Sequence, residues 1–145
     1  MPYPKPEAGL VINYSYLWRR ESDSGYAEGI KDRPCAIILT VTNSEDEQII
    51  MALPITHTEP QDRNEGIEIP QAIKKRLGLD GQRSWIIVSE LNRFVWPGPD
   101  LRPISRTSNA QYSYGLLPPA FYNEVKLKLL KLHQDRRVTP VNRTE

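Results

Sequence analysis

The sequence predicts a mainly β domain, α+β by content: a partly open antiparallel β-barrel with a short internal helix and a C-terminal helix. Two patterns and the chain length predict it. Short segments with a hydrophobic period of two recur along the chain, separated by polar, Gly- or Pro-marked turns. Only two segments carry helical spacing, too few to serve as crossovers for a parallel sheet. The 145 residues are enough for one domain with a real core.

Residues 1–8 alternate Pro with other residues and read as an extended lead-in, because Pro fixes its own φ and disfavours helix before it. In the first strand, Leu10, Ile12, Tyr14, Tyr16 and Trp18 alternate with Val11, Asn13, Ser15 and Leu17, which predicts one buried face. Arg19 to Lys31 reads as a charged, Gly-containing loop. Cys35 to Thr42 is rich in β-branched residues, Asn43 to Glu47 is an acidic turn, and Gln48 to Thr56 returns as the second arm of a hairpin. Gly66-Ile67-Glu68-Ile69 is a short strand. Pro70 at a helix start and Gly78 at its stop bracket the internal helix. Ser84 to Phe94 reads as one strand, broken by Trp96-Pro97-Gly98-Pro99, and 99–115 as polar and irregular. After Pro118-Pro119, Phe121, Val125, Leu129 and Leu132 fall on one helical stripe. Residues 9–135 thus form one domain, and 136–145, without apolar periodicity, a loose tail.

Composition excludes more than it assigns. With 39% hydrophobic and 26% charged residues the chain is in the globular range, and no apolar run approaches a membrane span. One Cys makes neither an internal disulfide nor a Cys-based zinc site, and with no signal-peptide pattern the expectation is a cytoplasmic protein. Cys35 reads as a buried, inert thiol. His57 and His133 lack a clear third ligand, so no metal is expected; no phosphate loop or nucleophile elbow is present, and no cofactor is expected. The net charge of +1 hides an asymmetry: residues 1–100 hold 11 basic and 15 acidic residues, residues 101–145 hold 8 basic and 3 acidic. Such a chain can bind an anion and an acidic partner without a high pI.

Three stretches put polar residues at strand ends, where a barrel presents chemistry on a rigid base: Lys31-Asp32-Arg33-Pro34, Pro54-Ile55-Thr56-His57 and Ser89-Glu90-Leu91-Asn92-Arg93. Together with Gly9-Leu10-Val11-Ile12 at the first strand and Gly115-Leu116-Leu117 before the last helix, they make the chain resemble the PemK/MazF-type toxins, the endoribonuclease half of bacterial type II toxin–antitoxin pairs. The resemblance spans most of residues 9–133. Leu91 stands where the family commonly has Gln, and the 19–31 and 97–114 loops are longer than usual, so base preference does not carry over.

The resemblance implies an SH3-like, CcdB/PemK-like barrel, a homodimer, and metal-independent, sequence-selective cleavage of single-stranded RNA (mRNA) held in check by a cognate antitoxin. Such cleavage uses the substrate's own 2′-OH, so the protein must place an acid–base pair and hold the charge on the phosphate. The resemblance puts Arg33, Thr56 and Glu90 on catalytic positions. A guanidinium can hold two phosphate oxygens, and a threonine hydroxyl can bond a phosphate oxygen or the 2′-OH. His57, whose side-chain type titrates near neutrality, adjoins Thr56 and is a candidate substrate contact with Asn92 and Arg93. Tyr26, Tyr112 and Tyr114 lie in polar loops and can stack unpaired bases. Structural roles compete: Arg33 can pair with Asp32, Thr56 can end its strand, and Glu90 can be an exposed strand carboxylate. The same fold also serves as a non-catalytic binding module, as in gyrase-poisoning toxins, or as a degenerate, inactive toxin.

Overall fold

The computed structural model describes residues 3–25, 31–104 and 111–143. Along them run β1 (Leu10–Tyr14), α1 (Arg19–Asp23), β2 (Arg33–Thr42), β3 (Gln48–Thr56), β4 (Gly66–Glu68), α2 (Gln71–Leu77), β5 (Trp85–Ile87), β6 (Glu90–Val95), β7 (Ser113–Leu116), α3 (Pro119–Gln134) and β8 (Thr139–Asn142). The strands form one sheet in the order β4-β5-β3-β2-β1-β7, with β6 joined to β3 and β8 to β6. Every pairing is antiparallel except β6 with β8. Among the described residues β4 and β7 do not pair, so the barrel is open, as the sequence predicts.

The long strand β3 is the branch point. One edge pairs with β2 from Cys35↔Pro54 to Thr42↔Gln48. Its other edge pairs first with β6, from Ile49↔Val95 to Ala52↔Asn92, and then with β5 at Ile55↔Ile86 and Thr56↔Trp85. The change of partner falls at Leu53-Pro54, where Pro54 has no N–H to give a ladder. The expected single strand Ser84–Phe94 is therefore two strands, because each pairs with a different part of β3.

Alternate residues of the central strands enter two different cores. Val11, Ala36, Ile38, Leu53, Ile55 and Leu91 pack under α2 and α3. Leu10, Ile12, Tyr14, Cys35, Ile37, Ile50, Ala52 and Phe94 join Tyr16, Trp18 and Trp85 in an aromatic-rich core on the other face. All five residues of β1 are buried, where the sequence pattern predicted one buried face. The polar Asn13 is tolerated there because its amide donates to the Pro103 carbonyl at 3.0 Å. α3 docks through Phe121, Val125 and Leu132, with Leu129 half-buried, on the predicted stripe. α2 ends at Gly78 with φ +71°, a left-handed conformation that favours Gly. Cys35 is fully buried, and burial pushes its thiol well above the ordinary range.

Three further stretches depart from expectation. The end of the segment read as irregular forms β7 at Ser113–Leu116, held by its backbone pairing with β1. The charged loop opens with the short helix α1, whose Glu21 carboxylate accepts from the Trp18 N–H at 3.1 Å. The tail expected to be loose forms β8 at Thr139–Asn142, buries Val141 and inserts Arg143 into the fold. A parallel strand pairs through backbone groups, so four residues need no apolar period. An ion pair anchors them: Arg143 Nη2 meets Asp100 Oδ2 at 2.8 Å, with both side chains buried.

Candidate functional site

β2 and β3 bring the first two candidates together. Continuing the Cys35↔Pro54 register by two residues sets Arg33 opposite Thr56. Both lie on the face of the sheet that carries the aromatic core. The Arg33 guanidinium stacks 5.0 Å from the Trp18 ring centre, and Nη1 donates to the Ile55 carbonyl at 3.4 Å. Asp32 does not pair with Arg33; it approaches Arg102 at 3.7 Å. Burial lowers the pKa of the Arg33 guanidinium from its ordinary value.

These strand ends open into a groove of about 550 Å³, bounded by α1 on one side and by α2 and the loop after it on the other. Trp18, Arg33, Thr56 and His57 all line it. Among the described residues, the two buried side-chain donors with no acceptor are Trp18 Nε1 and Arg33 Nε. An unmet buried donor costs about 1–3 kcal/mol, so an acceptor oxygen brought to either atom would be favoured there. Arg20, Lys31, Arg33 and Lys74 bring positive charge to the walls, against Glu21, Asp32 and Asp80. Residues 18–84 supply the whole lining among the described residues; the basic C-terminal segment contributes nothing to it.

The far wall carries a hydrogen-bonded chain. Lys74 has a side chain only 1% exposed, and its ammonium donates to Asp80 Oδ1 at 2.9 Å, to Ser84 Oγ at 2.7 Å and to the Gln82 carbonyl. Those contacts use all three of its protons. Asp80 Oδ1 also accepts from the Gln82 N–H at 3.1 Å. The Lys74 hydrogen bond, then the Gln82 N–H, hold the Asp80 carboxyl below the usual carboxylate range against its partial desolvation. His57 Nε2 lies 2.9 Å and 3.1 Å from the two Asp80 oxygens.

Glu90 does not line the groove. One of its oxygens accepts from the Arg19 N–H at 2.9 Å and the Tyr16 hydroxyl at 3.1 Å. Burial raises its carboxyl above the usual value, and desolvation, with Glu90 adding to it, raises Tyr16. Asn92 is fully buried, and its amide brackets Leu17: Oδ1 accepts from the Leu17 N–H at 2.8 Å, and Nδ2 donates to the Leu17 carbonyl at 2.7 Å. That side chain is spent on the fold and has no face to offer a substrate. Arg93 is exposed on β6, outside the groove. The Tyr112 ring packs 4.9 Å from Tyr3. Tyr114 is half-buried against the core; burial raises its hydroxyl, with Asp32 and Asp80 from the groove adding to the effect. Tyr26 lies outside the described residues.

Sequence reasoning missed Trp18 as a groove wall and Lys74 and Asp80 as a chain behind His57. A signal for Lys74 existed: it sits three residues before Leu77, on the inner face of α2, where a lysine demands buried acceptors.

No protein-family model matches the chain, and no curated protein matches it. The fold has counterparts among solved structures. One is described as an endoribonuclease in complex with its cognate antitoxin, from a mycobacterial species. It superposes with a TM-score of 0.55 at 12% identity, covering 90% of this chain and 96% of that one, and it establishes a shared fold.

Proposed function

We propose that this chain is an endoribonuclease of the toxin class, cutting single-stranded RNA without a metal ion and in a sequence-selective way. The observation that carries the reading is that Arg33 and Thr56, at the adjoining ends of β2 and β3, line one groove together with two unmet buried donors, Trp18 Nε1 and Arg33 Nε. The fold shared with an antitoxin-bound endoribonuclease supports it. A phosphodiester in the groove would satisfy Arg33 Nε and spread its charge over the guanidinium, which gains as charge builds on the phosphate oxygens in the transition state. The Thr56 hydroxyl, which now accepts from the Thr58 N–H at 3.1 Å, has its proton to donate to the same phosphate. The 2′-oxygen then attacks phosphorus and the 5′-oxygen leaves, giving a 2′,3′-cyclic phosphate and a 5′-OH. An antitoxin segment filling the groove would block this, and a homodimer is the assembly the resemblance favours.

Purified protein in EDTA should cut a mixed single-stranded RNA into discrete fragments ending in cyclic phosphate, and Arg33→Ala should lower the rate at least about 100-fold. Intact RNA after prolonged incubation, or equal cutting by Arg33→Ala, defeats the reading. The engagement of Glu90 by Tyr16 and Arg19 favours one alternative, a non-catalytic binding module, since it takes the expected acid–base carboxylate away from Arg33. That module would retain RNA on the groove in EDTA and leave it uncut.

A further inference from the structure

With Glu90 committed elsewhere, the groove still needs a group to take the 2′-OH proton. We infer that His57 is that base, with Asp80 as its positioning residue and buried Lys74 as the anchor of Asp80. The inference rests on the endoribonuclease reading and supplies the acid–base component of its site.

The geometry argues it from the inside out. An ammonium with 1% exposure is costly to bury unless every proton is bonded, and Lys74 meets that condition by holding the Asp80 loop at Asp80, Gln82 and Ser84. Asp80 is therefore fixed, unlike a free surface carboxylate. Both its oxygens face His57 Nε2, which places the proton of the neutral ring on Nε2 and the lone pair on Nδ1. Among the described residues no hydrogen bond engages Nδ1. His57 follows Thr56 at the end of β3, and both line the same groove as Arg33. A carboxylate bonded to one ring nitrogen, with the other free of hydrogen bonds on a residue that lines a groove, is the arrangement that makes a histidine an oriented base.

In the step, Nδ1 takes the proton of the 2′-OH as the O2′–P bond forms and the P–O5′ bond breaks. The departing O5′ takes a proton from water, and the imidazolium returns its proton to water. Nothing is oxidised or reduced, and no co-reactant beyond water is needed.

The test uses full-length protein and an RNA oligonucleotide that the wild type cuts. His57→Ala should lower kcat about 100- to 10,000-fold with KM little changed, and added imidazole should restore part of the lost rate. Asp80→Asn, which keeps an oxygen for Lys74, should lower kcat about 10- to 100-fold at unchanged KM. Thermal melts of each variant separate lost fold from lost chemistry, and imidazole rescue can appear only in a folded protein. Wild-type-like kcat in His57→Ala, or a loss that imidazole does not reverse in a folded variant, overturns the base assignment while the nuclease reading stands. Absence of cutting by the wild type on any RNA overturns both.

Discussion

Glu90 and Asn92 show how a residue's partners decide its work. Both sit in the segment that resembles a catalytic stretch, and both are spent on holding residues 16–19: Asn92 at Leu17, Glu90 at Tyr16 and Arg19. Burial raises the Glu90 carboxyl, so the folded chain takes up that proton at higher pH than the unfolded chain does. The native state then binds more protons in that window, and stability falls as pH rises through it. Glu90→Gln keeps an acceptor for Arg19 and Tyr16 and removes the buried charge. It should melt above the wild type at pH 8, with the gap closing as pH falls toward about 4, the ordinary carboxylate value. Melting curves across that range check it; a gap independent of pH would mean the charge is not what is penalised. Arg33 and Thr56 were legible in the sequence as residues at strand ends. That they oppose each other was not, because register belongs to the paired strands and not to either alone.

At the scale of elements, β8 is the least expected piece. Its short run has no apolar alternation, and what fixes it lies far away in sequence: Asp100, Asn92 and the Ser15 carbonyl, all bonded by the Arg143 guanidinium. Removing one partner of a buried ion pair leaves the other uncompensated. Arg143→Ala should cost about 3 kcal/mol, read as a lower urea midpoint at unchanged slope. A loss below about 1 kcal/mol would mean that Asp100 is satisfied by Arg102, 3.8 Å away. The helices were easier to read, because their limits are written locally: Pro70 and Gly78 around α2, Pro118-Pro119 and the Phe121–Leu132 stripe in α3. Strand β1 was only half legible. A period of two says that alternate residues share a face, and it does not say whether the opposite face is covered as well; here α3 and the aromatic core cover both.

For the whole molecule, the charge asymmetry of the sequence separates from the groove. The 101–145 segment carries the basic excess, yet the described groove draws its free cations from Arg20, Lys31 and Arg33, Lys74 being neutralised by Asp80. If those three meet phosphates, the logarithm of the RNA affinity should fall against the logarithm of salt with a slope of about −2. Titration of labelled single-stranded RNA between low and moderate salt measures it. A slope of about −4 or steeper would bring the basic C-terminal segment into the interface. Among the described residues no helix is long and apolar enough to cross a membrane.

The sequence by itself determined the mainly β architecture, the limits of the two longer helices, the burial of Cys35 and the strand ends where Arg33, Thr56 and His57 stand. Those are written in local periodicity and in Pro and Gly, which act within a few residues. Tertiary structure alone decided that Arg33 faces Thr56, that Glu90 and Asn92 turn inward, that Lys74 is buried behind Asp80 and His57, and that the tail closes onto β6. Each of these rests on a contact across the sheet or between distant segments. No local pattern encodes such a contact, because its free energy exists only once both partners are in place.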